Sequence, residues 1–196
     1  YNPDFLFFGH TKNISIDTIN QFRIINKNLT ISQWNEDPVM PSLDYSKTNI
    51  KNISNYASIV DHNFITTHPS VFKKQNTNIK NLHFFFVPVD QNIECFDVFK
   101  MNPSRDIFYA MSHGVNRATL KRGKIDSRIN FLNTLIKKID NINYDFYGFE
   151  NKEPIWGNNF YKALVSSKMG LNLSRGLPTK YYSSNRIASL MGNGLL

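Results

Sequence analysis

Short apolar runs alternate with amphipathic stretches along the whole chain, and this alternation limits the fold more than any other feature. Phe5-Leu6-Phe7-Phe8 and Phe84-Phe85-Phe86-Val87 have the length of buried strands, while Ile16, Ile19, Phe22 and Ile25 recur at helical spacing. Such a pattern predicts βαβ units around parallel sheets. Strands are expected over 4–9, 29–34, 63–67, 82–87, 106–111, 144–147 and 170–173. Helices are expected over 16–26, 45–58, 128–139, 158–166 and 184–191, with a short one opened by Pro69 in its favoured first-turn position. The periodicity degrades between Gln91 and Ser104 and ends in Asn102-Pro103-Ser104, which reads as a linker. The expected fold class is therefore α/β, with two Rossmann-like domains over 1–102 and 103–196.

No apolar run approaches the roughly 20 residues of a spanning helix, and no leader-like charged head and apolar core precede the first strand. A chain that opens at Tyr1 and stops at Leu195-Leu196, where another strand is due, reads as a cytoplasmic fragment with both domains incomplete. Cys95 is the single cysteine among 196 residues, which excludes a disulfide framework and a four-cysteine zinc site. Asn, Ile, Lys, Phe and Tyr are abundant throughout, as an AT-rich coding sequence produces. The Asn-x-Ser/Thr triplets at Asn13, Asn28, Asn52 and Asn172 are ascribed to that bias.

Open parallel sheets bind ligands beyond the carboxyl ends of their strands, and the unusual residues cluster in the loops expected there. The segment Ser112 to Arg128 holds His113, Gly114, Arg117, Lys121, Arg122, Lys124 and Arg128 against one acid, Asp126. A Gly-containing loop with that cation density suits a phosphate or diphosphate, through backbone N–H groups and guanidinium forks. A second segment, Asn172 to Gly194, runs from a strand through Arg175, Lys180, Tyr181 and Tyr182 into a helix capped by Ser183 or Ser184, with Arg186 in its first turn. The helix start offers amides and partial positive charge to an anion or sugar hydroxyl, and the tyrosines can stack on a base or sugar. In the first half, His10 ends a strand, and Trp34-Asn35-Glu36-Asp37 ends the next. His10 and Asp37 are the candidate catalytic groups, as base or as anchors for hydroxyls.

The net charge of +8 also fits a non-enzymatic module that holds nucleic acid or another polyanion. The cations sit at strand ends and form no continuous stripe, so nucleic acid is not the expected partner; the surplus charge allows peripheral docking on anionic lipid. The chain shows no Gly-x-Ser-x-Gly elbow, Walker loop, Gly-x-Gly-x-x-Gly turn or Asp-x-Asp pair. No metal or other cofactor is expected.

From Asn2 onward the chain resembles the two-domain GT-B glycosyltransferases, particularly the bacterial group related to the spore-maturation protein CgeB. NPDFLFFGH, ISQWNED and VDHNFITTH followed by HFFFVPVD are similar to strands of the acceptor half. DIFYAMSHGVNR, YDFYG, NLSRG and NRIASLMGNGLL are similar to the donor half, where Arg186 and Gly194 keep the family's spacing of eight and Ser189 replaces its acid. The resemblance implies transfer of a sugar from a nucleotide-sugar to a saccharide, lipid or protein acceptor, without a bound metal. It also implies that the first βα unit of the acceptor half, where a general base is often kept, precedes this sequence.

Overall fold

The computed structural model describes residues 2–10, 13–40, 44–73, 79–112, 126–174 and 179–196. It is a mixed α/β structure with two parallel sheets, of the Rossmann-like class. Its contacts divide into two units, the first of Tyr1–Val87 and Pro178–Ser184, the second of Pro88–Leu177 and Asn185–Leu196.

In the first unit, β1 (Phe5–Gly9), β2 (Thr30–Asn35), β3 (His62–Ile65) and β4 (Leu82–Phe84) lie side by side in chain order. They are connected through α1 (Ile16–Ile25), α2 (Asp44–Tyr56) and the single turn α3 (Ser70–Lys73). The first helix starts where Ser15 Oγ accepts the Thr18 amide at 3.0 Å, and Asp17 complements the positive end of its dipole. The register sets Leu6 beside Ile31 and places Phe8, Ile65 and Leu82 on the same side. There they pack with Ile19 of α1, Ile53 and Tyr56 of α2 and Phe72 of α3. All three helices thus cover one face, as crossovers of constant hand require when strands are added in one direction.

The second unit contains β5 (Arg105–Ala110), α4 (Ser127–Lys138), β6 (Tyr144–Tyr147), α5 (Gly157–Val165), β7 (Ser167–Gly170) and α6 (Asn185–Gly192). Its strand order is β6-β5-β7, so β5 is central and the chain crosses over it after β6. The two faces of β5 feed different cores: Phe108 and Ala110 pack with Leu164 and Leu190, while Ile107 and Tyr109 pack with Leu132 and Phe146. Gly194, at φ 79°, ends α6 in a Schellman turn, with Leu195 N donating to Leu190 O and Gly194 N to Met191 O, both at 3.0 Å. β7 begins three residues before the expected strand at 170–173, because Ser167, a polar residue with no apolar signature, is fully buried opposite Arg105.

Candidate functional site

At the carboxyl end of β5 the second unit opens a hollow of about 450 Å³. Its floor is Ala110, Met111 and Ser112, and its walls come from the starts of two helices: Trp156, Gly157 and Tyr161 at α5, and Asn185, Arg186 and Ser189 at α6. The place is dictated by topology, since the helix that follows β5, α4, packs on one face of the sheet and the helix that follows its neighbour β7, α6, packs on the other. That is the switch point at which open α/β sheets hold ligands. Gly148 shapes the approach from β6: it adopts φ 75°, and a Cβ on it would come within 2.2 Å of Met111 O. Only glycine satisfies both demands.

Arg186 is the cation of this hollow. Its Nη1 donates to Leu173 O at 3.2 Å and Asn172 Oδ1 at 3.4 Å, and its guanidinium lies 4.9 Å from the Tyr109 ring centroid. These contacts hold the guanidinium in place, so an anion that reaches it meets a positioned donor. Burial pushes the Tyr109 hydroxyl up, against the opposing pull of Arg128 and Arg186. Burial and the neighbouring Glu94 likewise raise Tyr161, whose hydroxyl donates to Glu94 Oε1 at 3.5 Å. Both phenols therefore stay protonated donors at neutral pH.

No family model, curated protein or solved structure matches this chain. The assignment of the site accordingly rests on its own geometry.

The first unit has a separate polar cluster at the carboxyl edge of its sheet. His10, at φ 48°, donates its backbone N–H to Trp34 O at 3.1 Å and sets Nε2 3.5 Å from Glu36 Oε1. Its Nδ1 is buried and has no hydrogen-bond partner among the described residues. Thr66 Oγ1 donates to Glu36 O at 2.8 Å, which ties the end of β2 to that of β3. Asp37 does not join His10: its carbonyl accepts from Asn35 Nδ2 at 2.7 Å and its carboxylate from Asn49 Nδ2 at 3.5 Å, contacts that shape the turn.

The residues expected to form one donor pocket are distributed as follows. Arg186 lies in the hollow of the second unit. Lys180, Tyr181, Tyr182, Ser183 and Ser184 belong to the segment that packs with the first unit. His113, Gly114, Arg117, Lys124 and Arg175 lie outside the described residues. Arg128, counted among the cations of the basic loop, is instead buried, with Asp126 taking its Nε at 3.0 Å and Nη2 at 2.6 Å. Sequence reasoning set His10 beside the carboxylates of Trp34-Asn35-Glu36-Asp37 but chose Asp37 where the structure has Glu36, and it did not single out Trp156 or Tyr161. An exposed Trp before a helix start was the one signal for Trp156, and nothing local signalled Tyr161. Among the described residues, no three His, Cys, Asp or Glu side chains cluster as a metal site would require, and no helix is long and apolar enough to cross a membrane.

Proposed function

We propose that this chain is part of a glycosyltransferase of the GT-B kind. In this reading the second unit holds the diphosphate of a nucleotide-sugar, and the first unit receives the acceptor. The observation that carries it is the hollow at the carboxyl end of β5, lined by Arg186 and by the starts of α5 and α6. Such a site supplies fixed positive charge where a leaving diphosphate develops negative charge. Trp156, two-thirds exposed at the rim, offers a surface for the nucleobase. In the transfer, a bond forms between the acceptor oxygen and the anomeric carbon as the bond from that carbon to the diphosphate oxygen breaks. The acceptor's proton passes to solvent or to a general base; within the first unit His10, whose Nε2 lies 3.5 Å from Glu36 Oε1, is the candidate for that role. The nucleoside diphosphate departs with the bonding electrons, neutralised by Arg186 and helix amides without a bound metal.

Calorimetric titration with uridine, guanosine, adenosine, cytidine and thymidine diphosphates tests the reading. One of them should bind, and Arg186→Ala should weaken it by about 1.5–3 kcal/mol, the worth of a hydrogen bond to a charged group. Binding of none, or an affinity unchanged by the substitution, removes the hollow from the mechanism. If single-stranded DNA binds with a steep salt dependence while the nucleotides do not, the chain is a polyanion-binding module instead.

A further inference from the structure

Tyr181 belongs to the first unit and sits in a conformation that its residue type disfavours. Residues 179–182 form a turn closed by Tyr182 N donating to Thr179 O at 3.1 Å. Tyr181 is its third residue, at φ 66°, a position where glycine or asparagine is the usual occupant. A bulky side chain in such a place points to a use for that side chain. Its ring is 57% exposed, so burial does not account for it.

Around that ring the first unit assembles a platform. His68 N donates to Lys180 O at 3.1 Å, which fastens the turn to the chain leaving β3. The His68 ring meets Tyr181 edge-on at 5.0 Å, Phe84 at the end of β4 lies 5.3 Å away, and Lys180 Nζ stands 5.1 Å from the Tyr181 centroid. Ser70 N donates to His68 Nδ1 at 3.1 Å, so the neutral imidazole carries its proton on Nε2 and presents a donor there. An exposed phenol flanked by an imidazole ring, with an ammonium over one face, offers its remaining surface and two polar neighbours to a pyranose ring. Its C–H face stacks on the phenol, and its hydroxyls accept from the rim. A lipid chain would need a longer apolar trough without these polar edges.

We infer that Tyr181, with Lys180, His68 and Phe84, forms a carbohydrate subsite on the first unit, and that the acceptor is an oligosaccharide. The inference deepens the transferase reading and rests on it for the word acceptor. The platform stands at the ends of β3 and β4, whereas His10 and Glu36 stand at the ends of β1 and β2. With neighbouring strands about 4.8 Å apart, the two clusters are separated by about two strand spacings along one sheet edge. One pyranose cannot both stack on Tyr181 and offer a hydroxyl to His10, so the acceptor has more than one sugar.

A glycan array of neutral, amino and acidic saccharides of one to four sugars, probed with the chain, is the first test. Hits should appear among di- to tetrasaccharides and be absent among monosaccharides. For the strongest, calorimetry should show at least a tenfold loss with Tyr181→Ala and retention with Tyr181→Phe, while nucleoside diphosphate affinity stays unchanged in both. An array without hits, a saccharide affinity indifferent to Tyr181→Ala, or a nucleotide affinity lowered by it overturns the assignment. The transferase reading fails separately: saccharide binding that depends on Tyr181, in a chain that binds no nucleoside diphosphate, leaves a carbohydrate-binding site and retires the enzyme.

Discussion

Asp61 shows how one side chain can organise the amino-terminal edge of a sheet. Its Oδ2 accepts the Ile31 amide at 2.8 Å and Arg23 Nη2 at 2.9 Å, and the same guanidinium donates to Ile59 O and Leu29 O. One carboxylate thereby joins α1, the start of β2 and the turn before β3. Burial pushes its carboxyl up, but the Ile31 amide and the Arg23 guanidinium together bring it below the ordinary value of 3.8. A carboxyl depressed in the folded state adds stability above its unfolded value, and that stability is lost as pH falls through the folded value. The stability of the parent to urea should therefore fall as pH drops below about 3.8. Asp61→Asn should be less stable at pH 7 and show a shallower loss over the same interval. Because the carboxylate is 40% exposed, solvent screening keeps the expected neutral-pH difference of the ion pair to about 1 kcal/mol or less. Parallel pH profiles for the two proteins would exclude Asp61 from this role.

Helix α4 starts on a different kind of pair. Asp126 caps it by accepting the Arg128 amide at 3.0 Å and then grips the guanidinium of the same residue, with both side chains buried. Removing one partner of a buried pair strands the other, at a cost of about 3–5 kcal/mol. Arg128→Met should lower unfolding stability by that amount and Arg128→Lys by less, as read from denaturant midpoints; a loss under 1 kcal/mol would mean that Asp126 stays satisfied through its other contacts. The sequence placed the helices and most strands because their apolar spacing is local: Ile129, Leu132, Leu135 and Ile136 mark one face of α4 whatever surrounds them. It misplaced β7 because Leu171 and Leu173, which suggested a strand, pack beside Leu132 beyond the end of the ladder. It also read Arg128 as a loop cation, since charge in a sequence does not reveal which side chain an aspartate two residues earlier will draw inward. Arg186 was legible from its place in a first helical turn. That His10 pairs with Glu36 and not Asp37 was not, because it depends on the register of β1 against β2.

At the scale of the molecule, the strand order of the first sheet has an unbalanced result. Among the described residues of the first unit, all three helices lie on one face and the opposite face carries Phe5, Phe7, Trp34, Phe64 and Phe85, whose rings meet at 5.6–6.2 Å. Phe5 and Phe7 remain 52% and 42% exposed. Parallel sheets are ordinarily covered on both faces, and contiguous exposed apolar patches bind whatever apolar surface they meet. The folded chain should therefore bind the dye 8-anilinonaphthalene-1-sulfonate without denaturant. Phe5→Lys with Phe7→Lys should remove most of that fluorescence and raise solubility, since lysines on an edge strand also oppose strand-to-strand association. Both positions are partly exposed, so the far-UV circular dichroism should be unchanged, while loss of the ring contacts of Phe7 with Trp34 and Phe64 should lower the unfolding free energy by about 1–3 kcal/mol. Dye fluorescence that survives the double substitution would place the accessible apolar surface elsewhere. A collapse of the circular dichroism would instead show that these rings hold the sheet together and are not merely its uncovered side.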